Sequence, residues 1–176
     1  MIQRRGLITG FIALCIAGSF GTAKADETAT AKKAIQAIYA KAATAAAKKD
    51  ANGMTAHFAP DYESIALDGT ITKGAAIKSN LVRFLQGVKS ITEATSITKL
   101  TLKGGTATVL YKGTANIIVV VPQTKKEGRL VIERTGETQW EKKGGAWLAR
   151  RAKTLTNKQS LDGKELSAPV KQPKKG

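Results

Sequence analysis

The sequence predicts an α+β fold in which three N-terminal helices pack on an antiparallel β-meander. Three observations carry this expectation. Apolar residues recur at three- and four-residue spacing through the first half of the chain, and they alternate with polar residues in the second half. Glycine-containing pairs separate the alternating runs at intervals that suit hairpins. At 176 residues and 42% hydrophobic composition, the chain is long enough for one domain with a buried core.

The chain opens with Arg4 and Arg5, an apolar run over residues 7–20, and Ala23-Lys24-Ala25. This is the order of a secretory signal peptide over residues 1–25, cleaved before Asp26 and leading to the periplasm or the exterior. Arg4-Arg5 followed by Gly6-Leu7-Ile8 fits a twin-arginine signal, and two arginines equally fit a general secretion signal, so both routes stay open. The apolar run is shorter than the ~20 residues of a membrane span, so no stable span is expected after processing.

Residues 28–49 place Ile35, Ile38, Tyr39, Ala42 and Ala46 on one stripe of a long alanine-rich helix. Asp50 can cap a second, short helix with Met54, His57 and Phe58 on one face and Pro60 at its end. Residues 62–67 and 71–73 flank Asp68-Gly69, a pair suited to a two-residue hairpin turn. Ile77, Leu81, Phe84, Leu85 and Val88 then define a third helix with Thr72 as its cap. Strands follow over residues 91–102, 106–121, 129–142 and 146–157, turned by Gly104-Gly105, the polar stretch 122–128 and Gly144-Gly145. Residues 158–176, with Pro169 and Pro173 and no periodic apolar residues, read as a disordered basic tail.

Charge is uneven along the chain. Lys and Arg number 29 against 13 Asp and Glu, a formal +16. The leader and tail hold part of that excess, and residues 26–157 keep 21 basic against 11 acidic residues, largely at turns. Charge scattered over turns is a solvated surface rather than a groove, so no nucleic-acid partner is expected. The single Cys, Cys15, lies in the leader, and the chain has one His, which excludes thiol catalysis, an internal disulfide and a Cys/His zinc cage within the mature chain. The Asp68-Gly69 and Gly104-Gly105 pairs are turns rather than phosphate loops, so no cofactor and no metal are expected.

Residues 54–77 read MTAHFAPDYESIALDGTITKGAAI, and residues 138–152 read TQWEKKGGAWLARRA. The first runs from the short helix through Phe58-Ala59-Pro60-Asp61-Tyr62 and the hairpin to Gly74; the second joins Trp140 and Trp147 through the Gly144-Gly145 turn. In this order they resemble the nuclear-transport-factor-2-like superfamily, particularly its branch of SnoaL-like polyketide cyclases and ketosteroid-isomerase-like proteins, over residues 28–157. The resemblance implies a cone-shaped roll whose curved sheet wraps a helix and encloses a pocket, and a homodimer through the open sheet face. The superfamily hosts enzymes, ligand binders and association domains, so the fold alone does not assign a function.

Alternation identifies what could face such a pocket. Val109, Tyr111, Ala115, Ile117 and Val119 share one face of their strand; Leu130, Ile132, Arg134, Thr138 and Trp140 share one of theirs; Trp147, Ala149, Arg151, Lys153 and Leu155 share one of the last. If the Trp-bearing faces are concave, Arg134 and Arg151 point inward and favour an acidic, partly apolar small molecule. The plain alternative places both arginines at the rim or pairs them with Glu133, Glu137 or Glu141. Tyr39, Phe58, Tyr62 and Phe84 either line the pocket or are simply core. His57 is the sole imidazole and Asp61 follows Pro60; either could be a base, or a buried structural histidine and a turn residue. Neither Asp61 nor Asp68 maps onto the paired acids of the ketosteroid-isomerase-like enzymes, and the Asp–His arrangement of the cyclases has no counterpart.

These observations lead to the expectation of an exported, non-catalytic domain that binds a small acidic or apolar ligand or self-associates. An isomerase- or cyclase-type enzyme using His57 or Asp61 is the alternative. A third possibility is a basic module that docks on anionic envelope surfaces.

Overall fold

The structure, a computed structural model, describes residues 20–121 and 125–166. Most of the expected leader and the last ten residues of the chain lie outside them. Among the described residues, three helices, α1 (Phe20–Ala47), α2 (Ala51–Thr55) and α3 (Gly74–Gln86), accompany seven strands: β1 (Phe58–Ile65), β2 (Ile71–Lys73), β3 (Val88–Lys103), β4 (Thr106–Val120), β5 (Glu127–Lys143), β6 (Ala146–Leu161) and β7 (Lys164–Glu165). Among the described residues no helix is long and apolar enough to cross a membrane.

The strands join one sheet in the order β2-β1-β6-β5-β4-β3, with β7 on β6. β3 to β6 form the expected antiparallel meander, whereas β1 runs parallel to β6, so the sheet is mixed. α1 lies across β3, with Ala31, Ile35 and Ala46 buried on its inner stripe. A polar clamp fixes it there: Gln36 donates from Nε2 to the Thr95 carbonyl at 2.6 Å and accepts the Ile97 N–H at 3.2 Å. This clamp stands just before the shift in the β3–β4 register at residues 97–99, where the strand needs an outside partner.

Three local expectations are corrected. α1 already includes the described residues ahead of Thr28, from Phe20 on, so it runs across the expected cleavage point. Asp50 caps α2 as expected, accepting the Asn52 N–H at 3.0 Å, but that helix stops at Thr55 and Phe58 already begins β1. Pro60 sits inside that strand, where pairing to β6 is interrupted between Phe58 and Glu63 and a missing N–H costs no ladder bond. Thr72 belongs to β2, and Lys73 occupies the cap of α3 without a side-chain hydrogen bond.

The expected disordered tail is also partly ordered. β6 continues to Leu161 because β5 begins at Glu127 and its early residues need a partner: Leu130 pairs with Leu161 and Arg134 with Asn157. Asp162 and Gly163 take positive φ angles of 51° and 79°, and the chain returns as β7.

Two buried clusters hold helices to sheet. One gathers Ile35, Tyr62, Val109, Trp140 and Trp147; the other gathers Ala46, Leu85, Val88, Ile91 and Ile117. Residues packed with each of them border the cavity described next.

Candidate functional site

The inner faces of β4 and β5 each carry a glycine among larger residues. Register sets Gly136 opposite Tyr111 and Gly113 opposite Arg134. A Cβ on Gly136 would lie 2.6 Å from the Tyr111 hydroxyl oxygen, so the ring lies directly over that glycine. Over Gly113, Arg134 crosses β4 and donates from Nη2 to Glu93 Oε1 on β3 at 2.7 Å. With these side chains laid flat, a cavity of about 510 Å³ remains between sheet and helices.

Aromatic rings form much of its wall, among smaller aliphatic and hydroxyl side chains. Tyr39 meets Trp140 edge-on at 5.6 Å and Tyr111 at 6.0 Å, while Phe58 stacks on Tyr62 at 3.8 Å. The His57 ring stacks on Trp140 at 5.6 Å and meets Phe58 edge-on at 4.9 Å. Tyr39 donates to Thr138 Oγ1 at 3.3 Å. The buried indole N–H of Trp140 makes no hydrogen bond of good geometry among the described residues, although it lies near enough to the Tyr39 hydroxyl to favour its ionised form.

Burial sets the charge state of these groups. It pushes the Tyr39 hydroxyl up to about 12, partly offset by the Thr138 hydroxyl, and raises Tyr62 as well. It lowers His57 to about 4. All three are uncharged near pH 7, and the charged residues bordering the cavity, Glu93 and Arg134, are paired with each other. No group of three or more His, Cys, Asp or Glu side chains converges among the described residues.

Of the residues singled out from the sequence, Tyr39, His57, Phe58, Tyr62, Phe84, Tyr111, Arg134 and Trp140 border the cavity. Trp147 does not; it packs in the cluster beneath α1 and lines a separate groove beside Ala34 and Ile38. Arg151 does not either. Trp140 pairs with Ala149 but Gln139 with Arg151, so Arg150 is an extra residue in β6 and the alternation flips beyond it. Ala149, Ala152 and Thr154 therefore face the cavity, while Arg151 pairs with Glu63 at 3.1 Å in an outer groove. Asp61 lies in that outer groove too, in an ion pair with Arg150, which also binds Glu141 at 2.6 Å.

The sequence reading missed Glu93. Ile91, Glu93, Thr95 and Ile97 share a face of their strand, so alternation alone could have placed this carboxylate inside.

A sequence model described as the SnoaL-like domain matches residues 27–153. The chain belongs to the SnoaL-like domain family. No curated protein matches the sequence. Among solved structures, this SnoaL-like domain is similar to a putative scytalone dehydratase from Novosphingobium aromaticivorans, at 15% identity and a TM-score of 0.66, over 76% of this chain and 89% of that one. It is similar to a hexachlorocyclohexane dehydrochlorinase at 12% identity and a TM-score of 0.58, over 82% and 98%. A nuclear-transport-factor-2-like protein with a cystatin-like fold, also from Novosphingobium aromaticivorans, aligns at 16% identity and a TM-score of 0.56, over 79% and 90%. At these identities the likeness concerns the fold, and the SnoaL-like chain shares the helix-on-curved-sheet architecture with all three.

Proposed function

We propose that this SnoaL-like domain is an exported, non-catalytic protein that binds a small, largely apolar molecule in its cone. The observation that carries the reading is the aromatic cavity of about 510 Å³, within the size of small-molecule sites. Its border includes Tyr39, Phe58, Tyr62, Phe84, Tyr111 and Trp140 for contact, with Arg134 as a polar group. The pattern of residues 1–25 supports export to the periplasm or exterior, and two copies pairing through the open sheet face is the accompanying proposal for assembly.

A base for isomerase or cyclase chemistry needs proton affinity near the working pH and reach to the substrate. His57 has reach, but with a pKa lowered to about 4 it is a weak base near pH 7 and is flanked by rings. Asp61 is a carboxylate in the outer groove, tied to Arg150. The dehydratase and dehydrochlorinase activities named for the similar structures are therefore not carried over through either residue.

Titration with the uncharged dye Nile red tests the reading. The expected result is saturable emission enhancement at one site per chain, abolished in Ala152→Phe, which places a ring in the cavity while circular dichroism stays unchanged. Absence of enhancement, or equal enhancement in Ala152→Phe, counts against it.

A further inference from the structure

The border of the cavity includes one charged pair, and its geometry bears on which ligands fit. Arg134 lies over Gly113 to reach Glu93 on β3, and both residues border the cavity. The Glu93 side chain is 17% exposed and that of Arg134 45% exposed, so the carboxylate is the more deeply set of the two and the guanidinium lies at the cavity's rim. The bond uses Nη2 of one residue and Oε1 of the other. A guanidinium has further N–H donors and a carboxylate a second oxygen, so the pair offers donors beside an acceptor.

An anionic ligand docking on Arg134 would bring its charge close to Glu93. Solvent screens the attraction to the rim guanidinium, whereas the more deeply set Glu93 carboxylate repels an anion brought beside it, so the repulsion offsets the attraction. A neutral group that accepts from Arg134 and donates to Glu93 completes both partners at no cost in charge. The other groups around the cavity agree with that: the tyrosine hydroxyls and the Trp140 indole add no charge, and the flat rings suit a planar partner.

We infer that the cavity selects an uncharged planar molecule carrying an acceptor beside a donor, an amide or lactam, and rejects the matching carboxylate. The inference rests on the cavity being a binding site, and it replaces the preference for acids that two inward arginines would have given.

Isothermal titration at pH 7.5 with 2-naphthamide and 2-naphthoate, alongside Nile red, tests it. The amide is expected to bind at least ten-fold more tightly than the acid. Glu93→Gln removes the like charge and is expected to reverse that preference, with circular dichroism and the urea unfolding midpoint retained as evidence of an intact fold. Equal or tighter binding of naphthoate by the unaltered protein overturns the inference and leaves the binding reading standing. So does failure of both naphthalene probes while Nile red still binds. If Nile red also fails, the binding reading itself falls, and this inference with it.

Discussion

His57 sits among the rings of Trp140 and Phe58, and burial holds its pKa near 4 against an ordinary 6.5. The unfolded chain therefore takes up a proton as pH falls through 6.5, while the folded chain does so only near 4. Stability is lost progressively between those values and no further below the lower one, by up to ~3 kcal/mol. His57→Phe is expected to flatten this part of the profile in urea unfolding at pH 7, 5 and 4; an unchanged slope would show that the imidazole is not the group responsible. Gly136 makes a second residue-scale demand. Alanine there comes within 2.6 Å of the Tyr111 hydroxyl oxygen and 2.7 Å of its ring, so the ring must lift away. The expected cost is about 1–3 kcal/mol, with Nile red affinity reduced at least several-fold. Alternation makes Tyr111 and Arg134 legible as inward residues in the sequence, but the glycines opposite them become meaningful only once the register is known.

At the scale of elements, β6 decides which side of the sheet its basic residues occupy. The extra residue at Arg150 turns Arg151 to the outer groove, where Glu63 meets it. Nothing in the run Ala149-Arg150-Arg151-Ala152 marks that shift, because both candidate bulge positions are arginines; strict alternation placed Arg151 inside for that reason. α1 depends on a different device, the two hydrogen bonds of Gln36 to the β3 backbone. Gln36→Ala leaves that donor and acceptor to find other partners, at an expected cost of about 1–3 kcal/mol in urea unfolding. A polar residue beside an apolar helical stripe is visible in the sequence, but its partner some sixty residues away, Thr95 or Ile97, is not. The short helix after Asp50 was misread for a related reason: apolar spacing over residues 54–58 suits a helix, yet Phe58 is claimed by the sheet through its pairing with Ala149.

For the whole molecule, the order of helices, hairpin and meander was legible because local periodicity and turn chemistry agree along the chain. The parallel pairing of β1 with β6 was not, since it joins strands far apart in sequence and has no turn to announce it. The proposed export makes a prediction at this scale. Cleavage before Asp26 would remove the first residues of α1, but Ala31 and Ile35, which anchor the helix, lie beyond that point. A chain beginning at Asp26 is expected to keep the melting temperature of the full chain within a few degrees. Intact mass of the protein recovered from the periplasm or medium of a bacterial host should give Asp26 as the first residue; retention of residues 1–25 would argue against processing at that site.

The two glycines beneath the cavity are unequal in what they would tolerate. At Gly113 a methyl group would stand 3.4 Å from Thr95 Oγ1 and 3.6 Å from Arg134 Nε, ordinary contacts, whereas at Gly136 it would collide with Tyr111. Substitution can therefore trim the polar end of the chamber in small steps, while the aromatic end changes only by displacing a whole ring. Variants with altered ligand shape should accordingly arise more readily around Arg134 than around Tyr111, without any change in the side chains that would touch the ligand.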